Sequence, residues 1–245
     1  MAVKRGRMTY LQHLEELRRR IIVCIVAVSA GCGVSWIFAW DILDILKGPA
    51  GNITLHYLKP MEPFLVRFKL TLFGGVLLAL PVVLFEVLAF LSPALKRKDR
   101  SFTIAVMLMI LAFFSAGVAL GYYYIMPVGI TWLLDLAAGQ MSPVLSASEY
   151  VSFAGWFMLA FGIAFETPIF IWMLVALGVL TPEQLRRQWR YAYIIILLFA
   201  AVITPDWNPI TMLMVAVPMV LLYEMSILLA RFTVGKRKQV ARTAG

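Results

Sequence analysis

Three acids, Glu86, Glu166 and Glu224, fall inside long apolar stretches of this chain. An ionised side chain at the centre of a bilayer costs about 3 kcal/mol on insertion scales and more on others. An acid kept there is therefore either neutral and hydrogen-bonded or part of a polar passage. Each has a proline nearby: Pro81, Pro168 and Pro218. Proline within a helix releases the carbonyl four residues back, here Leu77, Ala164 and Met214, so each stretch combines a bend, a spare acceptor and an acid. The set predicts a polar concavity between helices, with Glu166, Thr167 and Pro168 at its centre and Glu86 and Glu224 contributing. The other reading is structural, with protonated acids hydrogen-bonded to neighbouring spans.

A second group of acids lies among bases. Glu15 and Glu16 precede Arg18, Arg19 and Arg20, and Asp99 sits between Lys98 and Arg100. On a helix Glu15 with Arg19 and Glu16 with Arg20 have the favourable i to i+4 orientation, which accounts for them as local salt bridges. Carboxylates on an otherwise cationic surface would also grip the guanidinium forks of a cationic peptide. The chain has no phosphate-binding loop, no zinc-protease helix and no nucleophile elbow, and its two histidines, His13 and His56, flank an apolar stretch. We therefore expect no enzyme, cofactor or metal. Cys24 and Cys32 lie in one apolar stretch without metal-ligand spacing and read as packing residues.

The elements that must hold these residues follow from composition and charge. Hydrophobic residues make up 62% and charged residues 14% of the chain, far from the balance of a soluble domain. Eighteen of the 22 Lys and Arg residues fall in segments 4–20, 96–100, 186–190 and 231–242. Basic loops mark the cytoplasmic side, so this spacing predicts an all-α membrane protein of six spans with both termini cytoplasmic. The expected spans are 21–40, 65–91, 102–126, 150–179, 189–204 and 210–230, forming one membrane domain with a basic tail, 231–245, that lacks order at its end. The net charge of +9 then serves orientation and anionic lipid headgroups and not nucleic acid. No cleavage site follows the first apolar stretch, which is expected to be retained.

Residues 8–20 read as an amphipathic surface helix, and 41–64 as a far-side cap rich in turn signals. Ser92-Pro93 predicts a short cytoplasmic helix, and 127–149 reads as a far-side connection ending in a capping pattern, Ser146 to Glu149. Thr181-Pro-Glu-Gln184 repeats that pattern. The fifth span, about 16 residues, covers only about 24 Å of a hydrocarbon core of about 30 Å. Such a mismatch should thin the local membrane or be hidden by neighbouring spans.

Five motifs, taken in order, resemble the TatC subunit family of the twin-arginine protein translocase. They are His13-Leu-Glu-Glu-Leu-Arg18, Phe90-Leu-Ser-Pro-Ala-Leu95 leading to Asp99, Phe161-Gly-Ile-Ala-Phe-Glu-Thr-Pro168, Thr204-Pro-Asp206 and Pro218-Met-Val-Leu-Leu-Tyr-Glu224. The likeness covers about residues 8–235. It implies a cupped six-helix fold with short fifth and sixth spans, in the cell inner (cytoplasmic) membrane. It also implies export of folded proteins driven by the proton-motive force, with single-span TatA and TatB type partner subunits and self-association. Twin-arginine signal peptides would be received by Glu16 and Asp99, helped by Arg18, Phe90 and Leu95. Asp99 departs from the family, in which many members carry Glu. Glu166 resembles the acid of the family's concave pocket, and Pro49 and Asp206 match far-side positions linked to assembly and transport. A small ion-coupled transporter, with Glu86, Glu166 and Glu224 as a relay, is the competing reading of the same residues.

Overall fold

The computed structural model describes residues 10–51, 54–91, 100–135, 144–204 and 209–243. Among the described residues ten α-helices carry the fold: α1 (Tyr10–Ile37), α2 (Ala39–Lys47), α3 (Glu62–Leu91), α4 (Arg100–Leu120), α5 (Met126–Asp135), α6 (Ala147–Phe165), α7 (Thr167–Ala176), α8 (Pro182–Arg187), α9 (Trp189–Ile203) and α10 (Pro209–Thr243). Five helical stretches among the described residues are long and apolar enough to cross a membrane: Leu14–Ile37, Glu62–Phe90, Thr103–Asp135, Ala147–Ala176 and Met212–Arg231. The last is the shortest of the five, and the apolar helix Trp189–Ile203 is shorter still. At about 1.5 Å per residue the 15 residues of α9 reach about 23 Å.

Several boundaries differ from the sequence reading, each for a local reason. Residues 10–37 form one unbroken helix, because no glycine or proline pair separates the amphipathic start from the apolar span. The third span runs on as helix to Asp135 through a π-helical turn, Gly121–Ile125. Pro127 explains that turn: proline lacks the N–H of the regular ladder and its ring crowds the carbonyl four residues back, and the extra residue of a π turn absorbs both. The basic tail continues as helix to Thr243. The expected helix after Ser92-Pro93 lies outside the described residues.

α1 lies along α3, α3 and α4 both pack on α6, and α10 joins α7 to α9. Small residues set the closest approaches. A Cβ on Gly75 would stand 2.6 Å from the Cys32 nitrogen and 2.7 Å from its Cα, and one on Gly117 would stand 2.6 Å from the Phe161 carbonyl oxygen. In a membrane such close backbone contact supplies the van der Waals packing that lipid cannot replace.

The connections opposite the basic segments are tied together by polar contacts. β1 (Leu55–His56) pairs in parallel with β2 (Leu145–Ser146), Leu55 opposite Leu145. Glu62, 5% exposed at the start of α3, accepts hydrogen bonds from the Leu58 amide at 2.7 Å, the Ser148 amide at 3.1 Å and the Ser146 hydroxyl. Ser146 also caps α6, its hydroxyl accepting from the Glu149 amide at 3.3 Å. Lys69 donates to the carbonyl and hydroxyl of Ser148 at 3.1 and 2.6 Å. Two tyrosines close the end of α2: Tyr122 donates to the Ile45 carbonyl and Tyr150 to the Leu46 carbonyl, both at 2.5 Å. The Ile45 carbonyl also accepts from the amide of Gly48, the C-cap of α2, so the Tyr122 hydroxyl adds a second contact at the helix C-terminus.

Candidate functional site

The sequence candidates separate into three places. The first is a cleft of about 850 Å³ between the basic end of α1 and the C-terminal end of α3. Its walls include Glu15, Glu16, Arg18, Arg19 and Arg20 from α1, Phe85, Glu86 and Ala89 from α3, and Thr103 from α4. Helical spacing puts Glu16 and Arg20 on one face of α1, and their pairing follows: Arg20 Nε and Nη2 donate to Glu16 Oε1 at 3.0 and 2.8 Å. Arg20 Nη1 reaches across to α3, donating to Glu86 Oε2 at 2.5 Å and to the Glu86 carbonyl at 3.3 Å. Phe90 is half-buried one residue beyond the cleft wall on α3. Leu95 and Asp99 lie outside the described residues.

Glu166 occupies a second place, between α6 and α7. It is fully buried, and neither carboxyl oxygen has a hydrogen bond among the described residues. Pro168 starts α7 and breaks the helix here, but the carbonyl it releases is not spare: the Thr167 hydroxyl donates to the Ala164 carbonyl at 2.7 Å. The backbone is thus satisfied beside an acid that is not. A buried polar group left without a partner costs free energy, and its persistence calls for a reason other than packing.

The third place is at α8 and α10. Thr181 and Gln184 form the expected capping box at the start of α8, which presents Arg186 to Glu224 on α10. Arg186 Nη1 stands 2.9 and 2.8 Å from the two Glu224 oxygens, and the Tyr193 hydroxyl donates to Glu224 at 2.9 Å. The expectation of one polar pocket uniting Glu86, Glu166 and Glu224 therefore fails. Glu86 and Glu224 each meet an arginine from a neighbouring element, whereas the buried Glu166 has no hydrogen-bond partner among the described residues. Hydropathy alone placed all three inside spans, and it does not register an arginine 66 residues away in sequence that folds against Glu86. The Glu16 to Arg20 spacing was visible; the bridge to α3 was not.

Pro49 follows α2 in a short 3-10 turn, Gly48–Ala50, beside α5. A Cβ on Gly48 would lie 2.6 Å from the Tyr122 hydroxyl, so the turn and the α2 cap are packed as one unit. Asp206 lies outside the described residues.

Comparison with known proteins agrees with the motifs. A family model described as Sec-independent protein translocase protein (TatC) matches residues 12–218. The chain is 35% identical to the Sec-independent protein translocase protein TatC of Aquifex aeolicus (strain VF5) over 241 residues, covering 96% of this chain and 100% of that one. It is also 35% identical to the TatC protein of Koribacter versatilis (strain Ellin345), covering 97% of this chain and 90% of the relative. A crystal structure of the twin-arginine translocase receptor TatC superposes with a TM-score of 0.79 at 35% identity, covering 91% of this chain and 99% of the other. The relatives are named for protein translocation and not for a chemical reaction. With apolar helices enough to cross a membrane several times and this likeness along nearly its whole length, the chain is a multi-pass membrane protein that belongs to the TatC family of Sec-independent protein translocases.

Proposed function

We propose that this chain is the receptor subunit of a twin-arginine translocase in the cytoplasmic membrane. It binds arginine-pair signal peptides at the basic end of α1 and organises single-span TatA and TatB type partners for export of folded proteins by the proton-motive force. The observation that carries this reading is the cleft between α1 and α3, where carboxylates stand among arginines. A carboxylate offers two oxygens to the two parallel N–H groups of a guanidinium, and lysine's ammonium does not reproduce that geometry. Glu16 and Asp99 are the proposed receiving acids, with Arg18, Phe90 and Leu95 shaping the surroundings. Arg18 and its basic neighbours repel generic cationic peptides. Glu166 is proposed to meet a polar group of a partner helix or of the inserted signal, with Pro49 and Asp206 contributing to assembly on the far side. The basic segments face the cytoplasm and its anionic lipids.

Two of the three glutamates that a proton or cation relay would need are held by arginines, which weighs against a small ion-coupled transporter. Photo-cross-linking of an arginine-pair signal peptide to the detergent-solubilised full chain tests the reading, beside solute uptake by vesicles containing the chain alone. Signal capture without solute uptake supports the receptor; uptake without capture overturns it.

A further inference from the structure

We propose that Arg20 is an internal stand-in for the signal arginine. It occupies Glu16 while the receptor is empty, and Glu86 holds it aside when an incoming guanidinium takes its place. The inference rests on the signal-peptide reading above and adds to it a device that sets specificity.

The geometry has three parts. Arg20 already directs two N–H groups, from Nε and Nη2, at one oxygen of the Glu16 carboxylate, at 3.0 and 2.8 Å. Its third nitrogen is anchored separately, on Glu86 at 2.5 Å. The side chains of Arg20, Glu16 and Glu86 are 16%, 15% and 19% exposed, so the trio lies in the cleft wall, partly screened from water yet open to a ligand. Two acids share one guanidinium.

Glu86 makes the exchange feasible. Displacing an arginine from its only partner would leave a poorly solvated charge unpaired, which is strongly unfavourable. Here the displaced fork keeps its bond to Glu86. Arg20 then acts as a competitor that a ligand must outbid: an incoming arginine replaces two directed N–H contacts with two, whereas a lysine replaces them with a point charge. Affinity falls for both ligands, and more for lysine, so selectivity rises by disfavouring the wrong partner.

The test measures binding of an arginine-pair and a lysine-pair signal peptide to the solubilised full chain. The variants are Arg20→Lys, Glu86→Gln and the charge-conserving double variant Arg20→Gln/Glu86→Gln. The double variant removes both competitor and holder. It is expected to bind the arginine-pair peptide about fivefold tighter, the scale of a partly exposed ion pair, and to gain more for the lysine-pair peptide, so that discrimination shrinks. Arg20→Lys, which keeps the charge without the fork, is expected to shift in the same direction by less. Glu86→Gln alone commits Arg20 to Glu16 and should weaken both ligands. Weaker arginine-pair binding by the double variant, or an unchanged arginine-to-lysine ratio, would show that Arg20 only positions Glu16 and would overturn the proposal. Glu16→Lys run in parallel separates the two claims. Loss of binding there with a parent-like double variant sinks the stand-in alone, and parent-like binding by Glu16→Lys sinks the receptor reading beneath it.

Discussion

Arg186 of α8 places one nitrogen between the two carboxylate oxygens of Glu224 on α10, at 2.9 and 2.8 Å, and so ties the connection before α9 to the helix after it. Tyr193 of α9 completes the contact at 2.9 Å. The arginine is 57% exposed and the acid 33%, so water screens the pair and its contribution to stability is at most about 1 kcal/mol. Glu224→Gln keeps an acceptor for Tyr193 and should lower the melting temperature of the solubilised protein only slightly. Glu224→Lys faces Arg186 with a like charge and should lower it clearly more. Thermal unfolding of the two variants checks the order.

At Glu166 stability and function should separate. A buried acid with no hydrogen-bond partner among the described residues gives little to the fold, and replacing such a polar group by an apolar one of similar size is often neutral or stabilising. Glu166→Leu should therefore melt at or above the parent's temperature while losing export or partner association. Glu166→Gln keeps hydrogen-bonding capacity and should retain much of both. Parent-like export by Glu166→Leu would reduce Glu166 to a packing residue.

The α1 to α3 seam sets the distance between Arg20 and Glu86, and Gly75 sets the seam. Its added Cβ would meet backbone atoms of Cys32, which cannot swing away as a flexible side chain can. Gly75→Ala should cost about 1–3 kcal/mol, the range for overpacking. It should also weaken signal binding by moving α1 and its Glu16–Arg20 pair from Glu86. Unfolding and binding measured on the same preparation test both effects; unchanged values for both would show that the seam yields elsewhere.

A mismatch argument applies to α9. About four apolar residues inserted near Ile196 would bring its 15 residues close to the length of an ordinary span. The insertion also shifts Ile196 and Ala200, which are buried in the core. Such a protein should insert but export poorly. Normal export would make the short span incidental.

Helical character, five long apolar stretches and the short α9 were legible in sequence, because apolar length and basic punctuation are local signals. So was the Thr181 to Gln184 box, whose chemistry spans four residues. What sequence hid was long-range pairing. Nothing near Glu86 in the chain announces Arg20, nothing near Glu224 announces Arg186, and the Thr167 hydroxyl silently fills the acceptor that Pro168 releases. The run of helix through Pro127 was also missed. A proline normally signals an end, and only the π turn before it lets the helix continue.

The receptor claim is tested most directly by reversing both proposed acids, Glu16→Lys with Asp99→Lys, and measuring cross-linking to an arginine-pair signal peptide in membranes. Each reversed charge repels the guanidinium it should receive and leaves the apolar spans untouched. The double variant should insert at the parent's level and show no signal cross-link, while neutral Glu16→Gln or Asp99→Asn should lose about 1.5–3 kcal/mol of binding, the range for a charge-assisted hydrogen bond. Cross-linking at the parent's level by the Glu16→Lys, Asp99→Lys protein would contradict the assignment of these carboxylates as the twin-arginine site.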